Sequence, residues 1–398
     1  MNERVGTGTL WWAIPILCPF MVKIPIGGTV FNVSLADPIV AMVGLGIVAN
    51  LVRLQRLRLP LIIEFAPFAV WILISAGISS FYITDWRGSA VLSELIKYAV
   101  SVGWFIVLSY LFQRPSRQVD FIWLWAITSV GVACHALLVQ GTRLRNTGIM
   151  DNPNMLAYYL GVSAIVVTLF GTQLRFFHRA LVRYMVLLLQ VGAIVSTLSR
   201  TALVSALGVL AWICMLRGSL ILKRPLKVVL GLFLGVLPLF LLFFTDSGSG
   251  LLQRFQLYES YSVRYRLLIW QRGLELWSHY PVTGIGLGQF NHLSAFDIRL
   301  HNQYLTFMVE AGLIGMLLFL LGLMLSMARL LRAAKAGNLA CSLSGAVLSY
   351  TLVWSLTGNP LFFRPLWVAL ALGYAGLRSP PVATQALDAR NSLRSQNI

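Results

Sequence analysis

Residues 301–328, HNQYLTFMVEAGLIGMLLFLLGLMLSMA, decide the class of this chain. The run carries one carboxylate, Glu310, and no lysine or arginine. A hydrocarbon layer of about 30 Å is crossed by a helix of roughly 17–25 apolar residues, so this run is long enough to span one. At its mouth stand an imidazole and an amide, His301 and Asn302.

Similar runs recur outward from it in both directions. The chain has 398 residues, of which 58% are hydrophobic and 11% charged, and its mean hydropathy is +0.78. Soluble domains carry about 25% charged residues, so these are too few to cover a water-facing surface. The runs predict an all-α polytopic membrane protein of about twelve spans. They lie near residues 9–26, 36–52, 60–83, 89–112, 119–140, 153–172, 180–197, 200–216, 225–245, 301–328, 338–357 and 360–377. The polar break at Leu198–Arg200 is read as a turn between two spans, because 180–216 is too long for one helix. The first run holds Pro15, Pro19 and Pro25 and no small-x-small cleavage site, so it is expected to stay as a span. Cys18, Cys134, Cys214 and Cys341 are scattered through apolar runs and read as buried thiols.

Sorting the cations by side gives orientation. With the N-terminus inside, nineteen of the 31 lysines and arginines fall in inner loops, eleven fall outside, and Lys97 lies in a span. That bias puts both termini in the cytoplasm. The expected organisation is nine spans over 1–245, one larger outer segment over 246–300, three spans over 301–377 and a cytoplasmic tail over 378–398. Ten of the eleven outer cations are arginine, and Arg254, Arg264, Arg266, Arg272 and Arg299 cluster in the outer segment. Arginine binds phosphate oxygens bidentately, so the cluster points to an anionic, phosphate-bearing ligand. Pairing with outer acids or lipid headgroups is the alternative, and the acids are too few to neutralise every arginine.

Within the outer segment a Ser/Gly loop precedes a helical pattern from Glu259 to Trp277. Val263, Leu267, Trp270, Leu274 and Trp277 fall on one apolar seam, which predicts an amphipathic helix lying on the membrane or capping the bundle. Arg266 flanks that seam, Arg272 lies opposite it and Arg264 lies between these cases. Pro281 stops the helix, and the glycines at 284, 286 and 288 read as a tight turn back to the bundle.

Three groups of residues could carry chemistry. His301 is suited to proton abstraction near neutral pH, with Asn302 placed to fix its tautomer or bind a hydroxyl and Tyr304 as a further donor. A purely interfacial histidine is the plainer alternative. Arg200 sits at a break between apolar runs, where a charge needs a partner or water. Asp151, Asn152 and Asn154 around Pro153 form a helix start whose role is capping or, for Asn154, contact with a sugar. No DxD, HExxH or His/Cys cluster calls for a metal, and Asp37 before Pro38 is read as a cap on the second span.

SRTA (199–202), Arg266–Trp270 leading into PVTGIGLGQF (281–290), HNQYL (301–305) and NPNMLA (152–157) resemble the membrane O-antigen ligase and O-antigen polymerase superfamily. The resemblance runs from about residue 146 to 377, and Thr201 departs from it, because the family usually has glycine after the Ser-Arg pair. It implies a fold similar to the GT-C glycosyltransferases in the bacterial inner membrane, with the site facing the periplasm. It implies a donor glycan on undecaprenyl diphosphate, an acceptor hydroxyl on lipid A–core oligosaccharide, no cofactor and no nucleic-acid partner. On that reading His301 is the base, Arg200 and Arg266 hold the diphosphate, and Arg264, Asn302, Tyr304 and Asn154 contact substrate. A polymerase differs only in its acceptor, and a non-enzymatic transporter is the alternative of another class.

Overall fold

The computed structural model describes residues 10–26, 29–54, 63–138, 147–150, 152–171, 179–197, 199–216, 259–294, 296 and 299–378. The expected span at 225–245, the Ser/Gly loop that follows it and the tail beyond Arg378 lie outside the described residues.

The chain opens with a short helix, α1 (Ala13–Leu17), and an antiparallel hairpin of β1 (Met21–Ile26) and β2 (Thr29–Ser34). Then come α2 (Asp37–Leu54), α3 (Ala66–Tyr82), α4 (Gly88–Leu111), α5 (Pro115–Leu138), α6 (Pro153–Phe170), α7 (Ala180–Ser196) and α8 (Arg200–Met215). The C-terminal half holds α9 (Glu259–His279), the one-turn α10 (Phe290–Leu293), α11 (Gln303–Lys335), α12 (Leu339–Trp354) and α13 (Arg364–Arg378). α4, α5, α6 and α11 are long and apolar enough to cross a membrane, and the apolar helices among the rest are shorter. The expected break near 198–200 separates α7 from α8.

The first expected span, 9–26, is corrected. Its apolar residues divide between α1 and β1, and Ile26 pairs with Thr29 across a two-residue connection. Proline disfavours helix continuation, and a Gly-Gly pair between two β-rich runs favours a hairpin. Hydropathy cannot separate the two outcomes, because Val and Ile raise it in either.

The core is aromatic. Trp104, Trp125, Trp212, Trp354, Tyr158, Tyr159 and Tyr374 are fully buried. α12 is central, packing on α8, α13, α11 and α6. Small residues let these helices approach: a Cβ on Gly345 would strike the Trp212 ring, and one on Gly161 would strike Tyr350. Polar pairs cross the same contacts, with Trp125 Nε1 donating to Ser163 Oγ (2.8 Å) and the Tyr158 and Thr351 hydroxyls 2.5 Å apart. Leucines and methionines such as Leu45, Leu73, Leu188, Leu207 and Met324 point outward, as contact with lipid requires.

α11 is not one continuous helix. Gly312 is non-helical (φ 69°, ψ −174°) and divides it. The backbone groups this frees are taken by the loop 281–286: Ile285 N–H bonds Val309 O (2.9 Å), Gly286 N–H bonds Glu310 O (2.9 Å), and Leu313 N–H bonds Pro281 O (2.9 Å). Trp71 Nε1 from α3 donates to Ala311 O (2.8 Å). A broken helix inside a membrane protein survives only where each freed group finds such a partner. Gly284 (φ 74°) lies so close to Gly312 that a Cβ on either would enter the other strand of chain. The glycine-rich turn therefore does return the chain to the bundle, and it does so by docking into a helix.

Candidate active site

The site begins with three helix starts at one end of the bundle. Asn152 caps α6, its Oδ1 accepting the Asn154 and Met155 N–H groups, with Pro153 at the first helical position. Asn302 caps α11 and accepts Leu305 N–H (3.0 Å). α8 opens at Arg200 after Ser199, whose hydroxyl is spent elsewhere than on its own helix. It donates to Asn154 Oδ1 (3.2 Å), which joins the α8 start to the α6 start.

From there a chain of hydrogen bonds continues across the rim. Thr201 and Thr357 share a hydroxyl bond of 2.7 Å, which ties the α8 start to the loop after α12. Gln303 N–H donates to Ser355 O (2.8 Å), which ties that loop to the α11 start. Trp270 Nε1 donates to Leu300 O (2.7 Å), which ties α9 to the residues just before His301. Asn154, the backbone of Arg200, His301 and α9 with Arg266 are thus gathered at one end, although they come from four separate stretches of sequence.

His301 carries the left-handed backbone (φ 51°), the sole non-glycine residue to do so among the described residues. Its ring reaches solvent, with protein around the remainder. That partial desolvation, then the Arg266 guanidinium, then that of Arg299, hold its pKa below the usual value near 6.5. The imidazole is therefore neutral at pH 7 and able to accept a proton.

Other expected residues fall differently. Tyr304 donates its hydroxyl proton to Leu352 O (2.9 Å), a bond between α11 and α12 that leaves the oxygen as an acceptor. Asn302 uses its oxygen on the cap, so its amide NH₂ is the group a hydroxyl could meet. Arg264 is exposed and Arg266 half-buried. At 100° per residue the two point roughly 160° apart on α9. Arg272 pairs with Glu275 (2.8 Å) on the helix surface.

The expected seam on α9 divides: Trp270 and Trp277 pack on the bundle, and Leu267 and Leu274 face outward. Leu267 is 54% and Leu274 44% exposed, whereas Ile269 is fully buried. The inner face runs through Ile269 and Gly273, because Gly273 lets Leu300 and Val309 come close, and Trp270 stands at its edge. Val263 has no described side chain.

Two features had little signal in the sequence. Arg299, expected in the phosphate-binding cluster, pairs with Glu94 (2.6 Å), which Lys97 also holds (2.7 Å). Asp37 does open α2, but its carboxylate is engaged by Ser34 N–H (2.8 Å), Trp104 Nε1 (2.6 Å) and Arg364 (2.7 Å). Those partners account for its oxygens without a metal. Among the described residues no three His, Cys, Asp or Glu side chains converge.

Residues 185–320 match the family model described as O-Antigen ligase. The match covers about a third of the chain and includes Arg200, Arg266 and His301, and it supports the resemblance carried by the SRTA, PVTGIGLGQF and HNQYL stretches. No curated protein matches the chain.

Proposed function

We propose that this chain, with its O-antigen ligase match at 185–320, is itself an O-antigen ligase of the bacterial inner membrane. It would transfer a glycan from undecaprenyl diphosphate to a sugar hydroxyl of lipid A–core at the periplasmic face. The observation that carries this reading is the hydrogen-bonded rim that gathers Asn154, the start of α8 at Arg200, His301 and α9.

The proposed step is a single displacement. The acceptor oxygen bonds to the anomeric carbon as His301 takes its proton. The bond from that carbon to the diphosphate oxygen breaks, and undecaprenyl diphosphate leaves with the electron pair. The anomeric configuration inverts. Arg200 and Arg266 stabilise the charge growing on the leaving group, a role worth about 10²–10³ in rate for each donor removed. Arg264, on the exposed face of α9, takes a peripheral part. Asn302 and Asn154 offer amide groups to sugar hydroxyls.

The test is complementation. A strain with its own ligase deleted, supplied with this chain, is expected to regain long polymer on core in lipopolysaccharide gels, and His301→Gln is expected not to restore it. Bare core with lipid-linked polymer still accumulating would overturn the assignment. Rescue instead of a polymerase-deleted strain, in which core carries single repeats, would make the chain a polymerase.

A further inference from the structure

The residues Arg299–Asn302 form a strap in which Arg299, Leu300 and Asn302 on either side of His301 are anchored, and one anchor is ionic. The Leu300 carbonyl is held by Trp270, Asn302 caps α11, and the next residue, Gln303, bonds Ser355. Arg299 reaches across to α4, where Glu94 Oε1 accepts its NH2 at 2.6 Å and Lys97 Nζ at 2.7 Å. Its guanidinium also lies over the Phe362 ring, 4.6 Å from the centroid, and Arg364 fixes the Phe362 carbonyl (2.8 Å). Between these anchors His301 sits at φ 51°, a conformation that persists in a non-glycine residue only where its surroundings hold it. The cleft beside Arg299, lined by Glu94, Asn291, Thr306, Asn359 and Phe362, has room for about one water-sized group (about 20 Å³).

We propose that Glu94 is a positioning residue for His301, acting through its ion pair with Arg299 to fix the strap that presents the imidazole. The inference rests on His301 being the proton acceptor of the proposed transfer. Among the described residues the charges that bear on His301 are Arg266 from α9 and Arg299 from the strap; Glu94 and Lys97 from α4 stand behind Arg299. Glu310 from α11 lines the same cleft. An ion pair that served only to hold α4 would affect melting and leave chemistry alone. One that aims the imidazole affects turnover, since a displacement of about 1 Å can cost about 10²-fold.

The experiment uses the full-length protein in detergent with both lipid substrates. Glu94→Gln is expected to lower kcat about 10–100-fold, with KM for donor and acceptor unchanged, and Glu94→Asp to recover part of the loss. A folded Glu94→Gln protein with wild-type kcat overturns the proposal. If Glu94→Gln does not fold, Arg299→Met decides, because it leaves the Glu94–Lys97 pair intact. Arg299→Met is expected to lower kcat. It is also expected to raise the pH midpoint of diethyl pyrocarbonate modification at His301, read by peptide mass spectrometry, because one nearby cation is gone. Unchanged kcat overturns the proposal, as does a raised donor KM with kcat kept, which would make Arg299 a donor contact. His301→Gln separates the two ideas: if it transfers normally the functional reading fails, whereas an inactive His301→Gln beside normal Glu94 and Arg299 variants fails the positioning role alone.

Discussion

His301 holds a strained backbone and an imidazole kept neutral by its surroundings. A base acts in its neutral form, so activity is lost as pH falls through its pKa. With that pKa held below about 6.5 in the free protein, the acid limb of kcat/KM is expected below pH 6.5. On the proposed mechanism the donor carries a negative diphosphate that favours the imidazolium, so the limb in kcat is expected higher than the limb in kcat/KM. A pH series with purified protein and both lipids checks the order of the two limbs; a reversed order would remove His301 as the titrating group. Replacing the ring by glutamine is expected to cost about 10²–10⁴ in rate. At this scale the sequence located polar residues at the mouths of apolar runs, and His301, Arg200 and Asn154 do stand at helix starts. It was silent on the pairing of Arg299 with Glu94, 205 residues away. The acceptor of the Tyr304 hydroxyl was hidden for a related reason, since it belongs to another helix.

α11 and the loop 281–286 form one unit, and Gly312 is where they meet. Gly312→Ala adds a Cβ that collides with the Val282 carbonyl in a backbone conformation that disfavours any side chain. Gly337 (φ 95°) offers a control, since a Cβ there meets open space. Gly337→Ala is expected to cost only the left-handed penalty of about 1–2 kcal/mol. Gly312→Ala is expected to cost more and to abolish transfer, as read by melting in detergent and an activity assay. Equal destabilisation by the two would mean that the loop does not lock into the helix. The sequence predicted the helix but not its break, because glycine is frequent in membrane helices and marks no interruption by itself. The docking face of α9 was hidden for the same kind of reason. Periodicity finds an apolar stripe, but Gly273 decides which face can come near α11.

Elements far apart in the chain are joined by one ion pair, between α2 and α13. Asp37, next to the N-terminal hairpin, pairs with Arg364 at the start of α13, 327 residues on, and both are largely buried. Removing one member of a buried pair typically costs about 3–5 kcal/mol, whereas replacing both by neutral groups can be close to neutral. Asp37→Asn is therefore expected to lower the melting temperature strongly, and Asp37→Asn with Arg364→Met to recover most of the loss. Additive losses would show that the pair is not what joins α2 to α13. No local pattern announces such a pairing. Hydropathy found most of the helices, but the pair that holds α2 to α13 was visible only once folded. The break in α11 bears on how this body sits in a bilayer. The uncharged stretch beyond it, Leu313–Ala328, is about 24 Å long at 1.5 Å per residue, short of a hydrocarbon thickness of about 30 Å. The residues just before Gly312 therefore complete the crossing, and the loop 281–286 that bonds them is carried to membrane depth with them.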